Sequence, residues 1–146
     1  MRHLILLSVV ALVSCTHALA EPEVKNFYEG DPSTRIERFE KMPIDLQYKI
    51  FVYGNQRVHP PIRSLGKPLA KHGKLAFDYI AAQIEQSEND LDYRDSMTVF
   101  EFMQRGGYYD ICGDDMAVSI VRENQHRIRN ADWKTVYQER LRRLCS

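Results

Sequence analysis

The chain is poor in the residues on which most recognisable chemistry depends. Three cysteines in 146 residues are too few for a disulfide-dense scaffold or a cysteine-built metal cluster. Of five histidines, only His59, His72 and His126 lie beyond the first twenty residues. None stands in an H-x-x-x-H or H-E-x-x-H spacing, so no metal ligand set is expected. There is no G-x-S-x-G elbow for a nucleophilic serine. The formal net charge is zero, which gives no argument for a nucleic-acid partner. The longest apolar run, Leu4 to Val13, is too short to cross a membrane as a helix. These absences leave a chain with no expected cofactor or metal and no motif of catalysis.

What is present starts with that apolar run. A basic start (Met1, Arg2, His3), the run itself and a small-residue end resemble a bacterial secretory signal over residues 1–20. Two cut sites compete within it. Leu12-Val13-Ser14-Cys15 is similar to a lipobox, which would make Cys15 an acylated new N-terminus. Ala18-Leu19-Ala20 before Glu21 has the small-x-small form of an ordinary cut. Ordinary signals outnumber lipoprotein ones, which favours the second cut and a chain free in the periplasm or cell envelope; under the first, the only membrane contact is a lipid anchor on Cys15. Either way the chain works where disulfides are allowed.

Removing twenty residues leaves 126, enough for one domain with a real core. Residues 21–31 are acidic, carry Pro22 and lack periodicity, so they read as a flexible tether ahead of a helical domain at 32–146. Cap chemistry at Asp31-Pro32-Ser33-Thr34 opens a helix to about Lys41. Ile44 to Gly54, with an end at Arg57 as the alternative, has an apolar stripe wide enough to be buried on two sides, and a β-strand is the second reading there. Leu65 to His72 closes at Gly73. Phe77, Ile80, Ala81 and Ile84, then Tyr93, Met97, Phe100 and Met103, fall at helical spacing up to Gly106-Gly107. Asp114 opens a helix through Ile128, and Asn130 opens the last, along Trp133, Val136, Tyr137, Leu141 and Leu144. The fold expected is all-α, with five or six helices.

Leu69-Ala70-Lys71-His72-Gly73, Lys74 to Ile80 and Tyr93 to Met103 closing at Gly106, with Asp92 and Arg94 near the start of the second long helix, resemble a HEAT-like repeat over about 40 residues. That resemblance implies a short stack of antiparallel helical hairpins that binds another molecule, most often protein, and performs no chemistry. Phe100 and Phe102 are bulkier than the residues usual on that helix.

Cys112 and Cys145 remain as an even pair whichever cut is made. They flank two predicted helices of roughly 24 and 21 Å joined by a short turn, and an antiparallel arrangement brings the start of one beside the end of the other. A disulfide is expected there.

Charge is unevenly placed. Glu85 to Glu101 holds six acidic residues against Arg94 alone, whereas Val118 onward holds seven basic residues against three acidic ones. Solvated helix faces account for both runs, and a charged partner surface is the sharper alternative. Asp110, Asp114 and Asp115 lack the spacing of a calcium loop, so helix capping is favoured. Two loops carry residues a purely structural account does not require. Arg57, His59 and Arg63 sit on a stretch stiffened by Pro60 and Pro61, suited to an acidic partner surface. Tyr108 and Tyr109 follow a glycine pair, and tyrosine is favoured as an interface anchor. The reading is an exported protein-binding module of the cell envelope, such as an immunity or inhibitor protein, and not an enzyme. A small envelope hydrolase using paired carboxylates, and a structural lipoprotein held through Cys15, are the rivals.

Overall fold

A computed structural model of the chain describes residues 22–146. The expected leader over residues 1–20, its two candidate cut sites and Cys15 lie outside the described residues. Among the described residues there are eight α-helices and no strand: α1 (Pro22–Glu29), α2 (Arg35–Glu40), α3 (Ile44–Arg57), α4 (Gly66–Ala70), α5 (Lys74–Glu85), α6 (Asp90–Gly106), α7 (Asp115–Arg127) and α8 (Ala131–Leu144). The protein is all-α, as expected, with more helices than five or six.

One helix beyond those expected is α1, where a tether was expected. Pro22 stands in the first turn, where its missing N–H costs nothing. Val24 and Phe27, three residues apart, bury one face. Phe27 packs on Phe39 with ring centroids 5.9 Å apart. The Tyr28 hydroxyl donates to the Ile50 carbonyl at 2.7 Å. Gly54 makes that docking sterically feasible, since a Cβ there would come within 2.0 Å of the Tyr28 hydroxyl oxygen. Residues 22–29 are therefore packed into the helical domain and do not form a separate flexible tether before residue 32.

Local signals set most of the remaining boundaries. Pro32–Thr34 form a 3₁₀ turn under the Asp31 side chain, so α2 starts later than the cap chemistry suggested. Ile44–Arg57 is a helix and not a strand; Gly54 and Asn55 lie buried inside it instead of ending it. A second 3₁₀ turn, Arg63–Leu65, precedes α4. Gly73 takes φ +59° beside the Tyr108 carbonyl. Side chains of Asn89, Asp114 and Asn130 cap α6, α7 and α8 by accepting amide hydrogens of their first turns,. Gly107, at φ +66°, closes α6 in the left-handed conformation that glycine adopts without strain,.

α6 is the centre of the domain, touching α3, α4, α5 and α8. Its inner face, Tyr93, Met97, Phe100 and Met103, is fully enclosed together with Leu69, Phe77 and Ile80. Phe100 and Phe102, bulky for a repeat helix, are accommodated differently. Phe100 packs on Phe77 at 5.0 Å, and Phe102 lies over Gly66, the small first residue of α4.

The disulfide joins Cys112, in the turn before α7, to Cys145, just after α8, with the Cα atoms 5.5 Å apart. The two helices are thus an antiparallel hairpin. Its turn end is tied to the start of α6, where the Asp90 carboxylate accepts the Arg129 and Asn130 amides at 3.1 and 2.7 Å. Arg127 and Arg129 also donate to the carbonyls of Glu85 and Glu88. Among the described residues no helix is long and apolar enough to cross a membrane.

Candidate functional site: an arginine cleft between α6 and α8

The hairpin lays α8 along α6, and a cleft of about 430 Å³ opens between them. Helical spacing builds both walls. Arg94, Thr98, Glu101 and Arg105 recur at three- and four-residue intervals on α6, and Trp133, Val136, Arg140 and Arg143 do so on α8,. Arg63, from the turn before α4, closes one side.

Five guanidinium groups here face two carboxylates, and both carboxylates are committed inward. Arg140 grips Glu101 with two parallel hydrogen bonds of 2.8 and 3.0 Å. It also donates to the Arg94 carbonyl and the Thr98 hydroxyl, so its orientation is over-determined,. Arg94 donates to one oxygen of Asp95 at 2.9 and 2.7 Å while its guanidinium lies over the Trp133 ring, 5.3 Å from the centroid,. Asp95 is 2 % exposed. Its other oxygen takes a hydrogen bond from Gln56 of α3, whose amide also reaches Asp92.

The remaining cations are on the rim. Arg105 and Arg143 are well exposed and only loosely paired, to Glu101 at 3.5 Å and Glu139 at 3.4 Å. No ion pair engages Arg63 among the described residues. Between these charges lie the half-buried rings of Phe102 and Trp133 and the exposed side chain of Val136. Such a site can hold an anionic group against an apolar floor.

Of the residues singled out from sequence, the cleft takes Arg63 alone. Arg57 ends α3 and His59 stands on the following loop, both exposed and outside the cleft lining. Tyr108 lies against Gly106, where a Cβ would meet its ring at 2.4 Å. The Tyr109 hydroxyl donates to Asp114 at 2.6 Å, and its ring packs on Phe77 at 5.2 Å. The two tyrosines thus secure the end of α6 and the start of α7.

Asp110 accepts from Gln104 and the Gly113 amide, and these bonds hold its carboxyl below the ordinary range. Hydrogen bonds from Tyr109 and from the Ala117 and Met116 amides do the same for Asp114. Among the described residues no three His, Cys, Asp or Glu side chains converge as a metal site. One pair of acids does meet. Asp92 and Asp95 share Gln56, and Asp92 also accepts from Ser87 at 2.6 Å and Asn89 at 3.1 Å. These bonds join α3 to α6 and leave Asp95 almost no exposure.

No family model matches the chain, and no curated protein or solved structure matches it either.

Burial pushes the Asp95 carboxyl above its ordinary value, with Gln56 and Arg94 opposing. The folded state therefore holds a proton that the unfolded chain releases at lower pH, so this group's contribution to stability is present below about pH 3.9 and is lost as pH rises through the raised value. Asp95→Asn removes that dependence. The stability difference, wild type minus variant, is expected to fall with rising pH over this interval and then level off. Urea unfolding of both proteins across pH 4 to 7 measures it. A difference that climbs with pH would refute the assignment; Asp110 and Asp114, common to both proteins, cancel.

Proposed function

We propose that the chain is an exported binding module of the cell envelope that seats an acidic segment of a partner protein in the cleft between α6 and α8. The observation that carries this reading is the inward commitment of Asp95 and Glu101. It leaves Arg63, Arg105 and Arg143 facing outward beside Phe102, Trp133 and Val136. Anions are favoured at such a rim, and apolar side chains between them find a floor.

Export is supported by the leader pattern of residues 1–20 and by the Cys112–Cys145 pair, which suits an oxidising compartment,. An immunity or inhibitor protein is the role that matches small size, export and the want of a catalytic motif. The α5–α6 hairpin is the part that resembles a HEAT-like repeat, a family whose helices mostly bind protein. The rival hydrolase reading has little to stand on, because Asp92 and Asp95 are tied into the α3–α6 contact.

The test is capture from envelope extract with the mature, oxidised protein as bait, compared with the triple variant Arg63→Glu, Arg105→Glu, Arg143→Glu. A specific partner retained by the wild type and bound at least about tenfold more weakly by the variant is expected, with the loss concentrated in association rate and sensitive to salt. Equal retention by both proteins, or no specific partner, would rule the reading out.

A further inference from the structure

We infer that a second groove, between α5 and α7, docks a basic amphipathic helix of another protein. This surface is independent of the arginine cleft and of opposite sign. The two helices run side by side in the same direction. At one end Lys74 of α5 lies over the Tyr109 ring and feels the Asp114 cap of α7. At the other, Arg127 of α7 donates to the Glu85 carbonyl and approaches the Glu85 carboxylate at 3.8 Å. Between these ties the helices stand apart and leave a groove of about 450 Å³.

Its floor and walls are suited to a third helix. Ala81, Ala82 and Ser119 are small enough to let a backbone approach closely, and Ile120 adds apolar surface,. Leu75 and Met116, 71 % and 74 % exposed, stand one turn before the lining at the shared N-terminal end. They are the most exposed large hydrophobic side chains among the described residues, and an amphipathic helix would cover them with anchors spaced three and four residues apart. The charge on the walls chooses the occupant. Asp78, Glu85 and Glu123 face Arg127 alone in the lining. Asp78 is paired with Lys74, Glu85 is loosely met by Arg127, and no ion pair engages Glu123 among the described residues. An acidic helix is repelled there and a lysine- or arginine-flanked one is attracted. The chain's own basic helix, α8, cannot serve from a second copy without unfolding, since Tyr137 and Leu144 already bury its apolar face.

The experiment uses two synthetic helices of about fifteen residues with the same leucine face, one flanked by lysine and the other by glutamate. Each is titrated by fluorescence anisotropy into the full mature chain with its disulfide intact, and amide shifts are mapped by NMR. The lysine peptide is expected to bind about tenfold tighter than the glutamate peptide, with shifts on α5 and α7. Met116→Asp and Glu123→Lys should each weaken it about tenfold, while Arg63→Glu leaves it unchanged. Equal affinity for both peptides, shifts outside α5 and α7, or indifference to Glu123→Lys would overturn the inference. So would a dimer in sedimentation that Met116→Asp abolishes, because the groove would then belong to a second copy. Because Arg63→Glu acts on the arginine cleft alone, failure of either surface is recognised separately.

Discussion

Replacement of both Cys112 and Cys145 by serine is expected to lower the free energy of unfolding by roughly 3–4 kcal/mol. The bridge closes a loop with a sequence separation of 33 residues, and opening it returns that loop's conformational freedom to the unfolded chain. For a domain whose whole stability is of the order of 5–15 kcal/mol, this is a large fraction. The effect should also have a place. α8 contributes Trp133, Val136, Arg140 and Arg143 to the cleft, so loosening its C-terminal end widens the wall they form. Trp133 is the only tryptophan, and its fluorescence reports that wall directly. Urea unfolding followed at Trp133, with and without reductant, checks the expectation: reductant should destabilise the wild type and leave the double variant alone. A loss below about 1 kcal/mol would mean that the Asp90 contacts and the Arg140–Glu101 pair hold the hairpin without the bridge.

The second large effect is in the core. Phe100→Ala is expected to cost roughly 3–5 kcal/mol, because the side chain is fully enclosed and the cavity left behind is bounded by helices that cannot all close on it. Phe100 meets Phe77 directly and lies on the one helix that touches α3, α4, α5 and α8. Collapse toward any one of these would pull the others apart. Val136→Ala, on the exposed rim of the cleft, should change stability by only about 0.5 kcal/mol, which separates packing from general sensitivity. Denaturant midpoints at unchanged slope measure both. A Phe100→Ala variant as stable as Val136→Ala would contradict the central role of α6.

Much of the fold was readable along the chain because its causes are local. A stripe such as Tyr93, Met97, Phe100 and Met103 repeats with the helical period wherever the chain is placed. Asn130 and Asp114 cap through amides two or three residues away. The Cys112–Cys145 bridge was also within reach, since two helices and one short turn leave little choice of geometry. Residues 22–29 were misread because Pro22 and the acidic residues outweighed the spacing of Val24 and Phe27. The evident composition belonged to the solvent face, and the residues that mattered needed distant partners to give them meaning: Phe39 for Phe27 and Ile50 for Tyr28.

The candidate site was less legible. The basic excess after Val118 pointed to a charged face, and Arg63 was singled out, but Arg94, Arg105, Trp133, Arg140 and Arg143 gained their roles only when α6 and α8 met. A guanidinium on an isolated helix is equally a solvated surface group. Here Arg140 and Arg94 are turned inward by Glu101 and Asp95, and that pairing leaves the outer Arg105 and Arg143 only loosely paired. Tyr108 and Tyr109 show the converse, since residues favoured at interfaces are used to fasten α6 to α7.

By itself, then, the sequence determined the all-α class, most helix ends and the cysteine pair. These depend on periodicity, on caps and on short connections, all of which act over a few residues. Only the tertiary structure decided that the first helix belongs to the core, that Asp92 and Asp95 share Gln56, and that two clefts of opposite charge flank the hairpin. Those outcomes depend on which helix faces meet, and that choice is made by enclosing one common apolar core around α6, an event no local segment encodes.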